Sequence, residues 1–176
     1  MTVRSQSEVE TRKVINNTMA TAAKSVLAGF GEITTVLMRS ADYRYTFLPE
    51  LEWLCMPAVL SGQYSVASAA AETGGIAVPR ACVIWAHVSD AVDARLSAAG
   101  TKPRLRPDEW TSGTIPWLID AVGEPRAAAM LLKTIVESRF SKSGLKSMQR
   151  DAGGRFTVRV LGLPQAGMPE VMAGTA

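Results

Sequence analysis

The sequence predicts a mixed α/β domain, a sheet with helices packed on it. Three observations carry that expectation. Apolar residues recur at helical spacing over residues 8–39 and again over 126–140. Gly74-Gly75 and Gly153-Gly154 each separate two apolar runs, which marks a hairpin because glycine reaches positive φ at little cost. After the leading helices the elements run hairpin, helix, strand, helix and hairpin, an order that suits one sheet covered by helices.

Residues 1–7 read as a mobile tail. From Glu8 to Arg39, Val9, Val14 with Ile15, Met19, Ala23 and Val26 with Leu27 keep helical spacing. Gly29 and Gly31 are expected to break this stretch, leaving a second piece from Glu32 to Met38. Pro49 opens another helix carrying Leu51, Leu54 and Val59, with Glu50 and Glu52 near its positive end. Pro57 should end or kink it, and Ser61-Gly62 marks its exit.

Two strands follow, over 63–71 and 76–86. Ser89 is placed to cap a short helix reaching Ala98. Lys102 to Pro107 is a basic loop, Trp110 to Gly113 a turn, and Trp117 to Val122 a buried strand. Arg126 to Phe140 is the strongest amphipathic helix, with Met130, Leu131, Ile135, Val136 and Phe140 apolar. Leu145–Arg150 and Phe156–Leu161 form a closing hairpin, and residues 162–176 a loose tail. The division expected is a tail and helical extension over 1–28, one domain over 29–161, and a flexible tail over 162–176.

With 176 residues, 47% hydrophobic and 20% charged, the chain has enough apolar surface for one core without a metal or disulfide. A net charge of +3 is too slight for a dedicated nucleic-acid binder. The excess gathers late, in Arg126, Lys133, Arg139, Lys142, Lys146, Arg150, Arg155 and Arg159. Such a face either steers an acidic partner or is simply a solvated surface. Cys55 and Cys82 sit in apolar runs without CxxC spacing, as free thiols of a reducing cytoplasm would. The first residues lack the apolar core of a signal peptide, and no apolar run approaches the roughly 20 residues of a membrane span.

Phosphate loops, dinucleotide fingerprints, zinc motifs and nucleophile elbows are absent from the sequence. His87 is the single histidine, so histidine metal sites are excluded by number and its expected role is structural. Trp85 and Trp117 read as core. Trp110 adjoins Asp108 and Glu109 in a loop. It either anchors that loop or lowers the local polarity enough to raise a carboxylate toward general-base range.

Glu109-Trp110-Thr111-Ser112-Gly113, followed by Trp117-Leu118-Ile119-Asp120, resembles the signature of the RTX toxin-activating lysine acyltransferases. Gly31-Glu32-Ile33, Ser40, Tyr43-Arg44, Pro57-Ala58 and Gln63-Tyr64 keep that family's spacing without a gap. Ala81-Cys82 and Trp85-Ala86 are similar to its second hairpin strand. The resemblance spans about Gly29 to Leu161. It implies an acetyltransferase-like (GNAT-like) mixed sheet flanked by helices, working in the cytoplasm as a homodimer. The implied reaction moves a fatty acyl group from an acyl carrier protein thioester to lysines of an RTX-type protein, with no bound cofactor or metal.

Tyr43 stands where the family keeps its catalytic histidine, and Glu109 where it keeps an aspartate. The expected catalytic pair is therefore Tyr43 and Glu109, the carboxylate taking the amine proton and the phenol protonating the leaving sulfur. Arg44, Trp110, Ser112 and Gly113 are expected at the substrate, with backbone N–H groups near Ser112-Gly113 holding the oxyanion. Arg126, Lys133 and Arg139 are expected to meet the acidic carrier. The alternative is a catalytically silent homologue serving as a binding or structural subunit of a larger, membrane-associated complex. An acetyl-CoA enzyme fits less well, because no Gly-rich loop joins the strand at Ala81 to the helix at Ser89.

Overall fold

The leading helix does not break at its glycines. In the computed structural model, which describes residues 3–70, 75 and 77–162 and the side chains from residue 19 onward, α1 runs unbroken from Val3 to Arg39. Gly29 has a packing reason to be there. A methyl group on it would overlap the Tyr64 phenol, so the glycine lets that ring lie against the helix. Gly31 has open space around it and carries the ordinary helix cost of roughly 1 kcal/mol. Val26, Phe30, Ile33, Val36 and Leu37 turn one stripe into the core. Met19 and Leu27, read from the sequence as part of the apolar face, lie outside that stripe and are exposed.

The next helical stretch breaks at Cys55, two residues before Pro57. Glu50–Leu54 forms α2 and Met56–Ser61 forms α3, with Pro57 in the first turn of α3 where its missing N–H costs nothing. Gly62, at φ 66°, closes α3 in the left-handed region. The expected hairpin is β1 (Tyr64–Ala69) against β2 (Val78–Val88), antiparallel. Most of its Gly-Gly turn lies outside the described residues. Ser89 caps α4 (Asp90–Ala98), accepting the Val92 N–H.

β3 (Ile115–Gly123) pairs antiparallel with β2, and α5 (Pro125–Arg139) crosses from it to β4 (Leu145–Arg150). β4 and β5 (Phe156–Leu161) form the closing hairpin at the expected residues. The result is a five-stranded mixed sheet in the order β1-β2-β3-β4-β5, consistent with the acetyltransferase-like architecture. β3 and β4 are parallel and paired through Trp117 and Lys146. At that point Asp93 of α4 accepts from Trp117 Nε1 at 2.7 Å and from Lys146 Nζ at 2.7 and 2.8 Å, tying helix and both strands together. The loose tail expected over 162–176 lies outside the described residues from 163 onward.

Alternation along β2 sorts the core into two layers. Cys82, Ile84, Ala86 and Val88 meet the helices before and after the first hairpin, while Val83 and Trp85 meet Ile135, Val136 and Phe140 of the α5 region. Helices therefore cover both faces of the sheet. Both cysteines are buried free thiols, and burial pushes each up to about 12.

Candidate functional site

Strand register passes from Ile84↔Asp120 to Trp85↔Leu118, leaving Ile119 as an extra residue in β3. Leu118 and Ala121 pack on the α5 layer, whereas Ile119 and Val122 belong to the other. The bulge therefore turns Ile119 and Asp120 toward the same side, the one where Tyr43 packs. There the Tyr43 hydroxyl donates to Asp120 Oδ2. Lys102, from the basic loop, completes the cluster, its Nζ donating to the Tyr43 oxygen at 3.0 Å and to Asp120 Oδ2 at 2.9 Å. The ammonium also lies 4.9 Å from the centre of the Tyr43 ring.

Burial pushes the Tyr43 phenol up to about 12, and the adjacent Asp120 carboxylate adds to the rise while Lys102 opposes it. Burial works against the Lys102 ammonium, but its bonds to Tyr43 and Asp120 and the charge of Asp120 outweigh that and raise it. Tyr43 is thus a neutral hydrogen-bond donor at pH 7, held beside a cation.

Glu109 lies elsewhere and is differently poised. It is 4% exposed, pairs with Arg95 Nη2 at 2.6 Å and Arg106 Nη2 at 3.2 Å, and accepts the Arg106 N–H at 2.8 Å. Burial raises its carboxyl, yet that N–H bond and the two guanidinium charges prevail and hold it below the ordinary value. Of the two carboxylates beside Trp110, Glu109 is therefore lowered and not raised toward general-base range. Among the described residues, its partners are Arg95 and Arg106 and not Tyr43.

The Trp110-Thr111-Ser112-Gly113 turn is built into the end of β2. Trp110 O accepts from His87 N and from Gln63 Nε2, both at 3.0 Å. Gln63 Oε1 in turn meets His87 Nδ1 at 2.6 Å, which accounts for the lone histidine structurally; burial lowers its pKa. Ser112 Oγ donates to Glu109 O and accepts from Ser89 N. A side chain at Gly113 would overlap Val88 O and the Ser89 backbone. The N–H groups expected to hold an oxyanion are already spent, Ser112 N on Glu109 O and Gly113 N on His87 O. Tight turn geometry, and not free donors, is what these two residues supply.

Arg44 is exposed and stacks over Tyr45, 4.8 Å from its ring centre. Trp110 lines a cavity of about 550 Å³ under α3. Of the basic residues on α5, Arg126 and Lys133 are seven positions apart and share a face. Arg139 lies on another side of that helix, 5.4 Å from the Trp85 ring.

Lys102 and Asp120 went unassigned in the sequence reading. Asp120 ends the Trp-Leu-Ile-Asp block, so its motif was visible, but the bulge that aims it was not. Lys102 looked like one of several loop cations, 59 residues from Tyr43 in sequence.

Among the described residues no group of histidine, cysteine, aspartate or glutamate could hold a metal ion. No helix there is long and apolar enough to cross a membrane. No curated protein matches the chain significantly. The family model of the RTX toxin acyltransferases does match, over residues 22–163, which covers the sheet, the Tyr43 cluster and the Trp110 turn alike. The chain belongs to the RTX toxin acyltransferase family.

Proposed function

We propose that this protein transfers a fatty acyl group from an acyl carrier protein thioester to lysine side chains of an RTX-type protein, with Tyr43 at the reacting centre. The observation that supports the reading is the cluster of Tyr43, Asp120 and Lys102, within the stretch that the family model covers.

In the reaction the lysine nitrogen attacks the thioester carbonyl carbon, a C–N bond forms and the C–S bond breaks. The lysine ammonium gives up two protons, the first before its nitrogen attacks. One ends on the carrier sulfur and the other passes to a carboxylate and then to water. Asp120 is the carboxylate beside the phenol and takes the role of that acceptor. Tyr43 donates to the departing sulfur, and the Lys102 charge stabilises the negative charge that develops there. Glu109 acts as a positioning residue, joining Arg95 and Arg106 to the turn that carries Trp110. The exposed pair Arg126 and Lys133 meets the acidic carrier. The enzyme works as a cytoplasmic homodimer.

A second reading draws on the same geometry. A phenol at about 12 and a glutamate locked between two arginines are both poor bases at pH 7. That favours a silent homologue retained as a binding subunit. The two separate cleanly when the protein is incubated with long-chain acyl carrier protein and its RTX-type substrate, and intact mass is recorded. The enzyme reading predicts acyl mass on substrate lysines, and a substrate left unmodified at stoichiometric enzyme sinks it.

A further inference from the structure

Asp120 Oδ2, the carboxylate oxygen beside the phenol, has both lone pairs in use. It accepts from the Tyr43 hydroxyl and from Lys102 Nζ, the latter at 2.9 Å, while Oδ1 accepts the Ala121 N–H. An ammonium that is to hand its proton to Oδ2 must first replace one of these donors. Tyr43 is half-buried and packs against the core. Lys102 is the donor free to move, its side chain 57% exposed against 13% for Asp120. Residues 100–106 belong to no helix or strand.

The group in place is also the group the reaction brings. Lys102 Nζ meets a carboxylate at 2.9 Å, a phenol oxygen at 3.0 Å and the Tyr43 ring at 4.9 Å from its centre. These are the contacts that hold a lysine ammonium as it leaves water. Two ammonium ions cannot share that seat, because like charges repel at such distances. The loop backbone is tethered: Arg95 Nη1 donates to Arg104 O at 3.4 Å, and the Arg104 guanidinium stacks 4.3 Å over Trp53. The Lys102 side chain can therefore withdraw while its loop stays. Solvent already weakens the bond it gives up.

We propose that Lys102 is a built-in stand-in for the acceptor lysine: its side chain fills the ammonium seat between Asp120 and Tyr43 in the free protein, and an acceptor lysine binds by displacing it. Displacement from Asp120 leaves the Lys102 charge free to face the departing sulfur. The inference rests on the reading of lysine as acceptor and is tested apart from it.

The probe is Nα-acetyl-lysine amide, whose one charge is its ε-ammonium. It is titrated into protein carrying 13C at tyrosine Cζ and 15N at lysine Nζ. Tyr43→Phe and Lys102→Met assign the two signals by their loss. The probe is expected to shift the Tyr43 signal saturably and to move the Lys102 signal to the position of solvent-exposed lysines. Lys102→Met should bind the probe about twofold to fivefold more tightly, the worth of a partly exposed ion pair. In transfer kinetics the same variant should lower KM for the acceptor together with kcat. Arg104→Met removes a loop charge that does not touch Asp120 and should leave probe affinity unchanged. The absence of a saturable shift, a Lys102 signal that stays still at saturation, no tighter binding in Lys102→Met, or equal tightening in Arg104→Met each overturns the assignment. Displacement without acyl transfer keeps the ammonium seat and removes the enzyme reading. Transfer without displacement does the reverse.

Discussion

Tyr43 donates its phenolic hydrogen to Asp120, 77 residues further along the chain. Lys102 bonds to both, so a phenol, a carboxylate and an ammonium share one half-buried point. Each group constrains the others: Asp120 keeps the phenol protonated, and Lys102 keeps a positive charge against its oxygen.

Removing either partner should disable the phenol in a different way. Lys102→Met takes away the group that lowers the Tyr43 pKa, so the phenol becomes a weaker acid. Asp120→Asn takes away the charge that raises it. Both variants should slow transfer by at least about tenfold, within the range for a positioned acid or base. A phenolate absorbance titration should show the Tyr43 midpoint falling in Asp120→Asn and rising in Lys102→Met; equal midpoints in all three proteins contradict the coupling.

Alkaline stability follows from the same cluster. Tyr43 is raised to about 12 when folded, against 10.0 unfolded. Its contribution is whole below pH 10 and is lost as pH rises through about 12. Lys102, Cys55 and Cys82 are raised as well and act in the same direction. Denaturant midpoints should therefore fall between pH 10 and 12, and less steeply in Tyr43→Phe than in the wild type.

Glu109 governs the acid side with the opposite sign. Its carboxyl is depressed when folded, so its stabilisation is present above the ordinary glutamate value of 4.5 and lost as pH falls below it. Glu109→Ala leaves the N–H of Arg106 without its acceptor and should cost about 1–3 kcal/mol at pH 7. The side chains of Arg95 and Arg106 are 49% and 75% exposed and stay hydrated, which limits the loss. Urea melts at pH 7 and pH 3.5 test this: the gap between wild type and variant should shrink at the lower pH.

Most of the fold was legible. The closing hairpin, the capped α4 and the amphipathic α5 each announce themselves through short-range signals of glycine, cap and period, and those signals act within a few residues. Gly29 misled because its local meaning, a weak helix point, is overridden by a contact with Tyr64 that only tertiary packing creates. The site was half legible for the same reason. Tyr43 and the Trp110 turn stand in recognisable motifs. The partner of Tyr43 depends on a one-residue bulge in β3, and the lowered carboxyl of Glu109 depends in part on Arg95 from α4, neither of which has a sequence period. Trp110 beside an acidic pair left a raised carboxylate open, but the Arg106 N–H bond and two ion pairs give Glu109 the opposite sign.

The carrier surface should also divide. Arg126→Glu with Lys133→Glu is expected to slow association with acyl carrier protein at low salt and to flatten its salt dependence. Arg139→Ala should do so less, since that guanidinium lies by Trp85 on a different side of α5. Association rates from stopped-flow at two ionic strengths give the comparison, and equal effects from both changes refute the assigned face.

Gly113 sets the position of the turn beneath the cavity. Gly113→Ala drives a methyl group into Val88 O and the Ser89 backbone and should cost about 1–3 kcal/mol, read as a lower melting temperature. A variant as stable as the wild type would contradict the packing described at the end of β2.

The most direct test of the account is the single-turnover rate of acyl transfer from long-chain acyl carrier protein to the RTX-type substrate, compared between wild type and Tyr43→Phe. The phenyl ring keeps the packing and removes only the hydroxyl. A rate lower by about a hundredfold or more is predicted for a group that donates in the transition state. Equal rates, or a wild-type protein that transfers nothing, would contradict the placement of Tyr43 at the centre of the reaction.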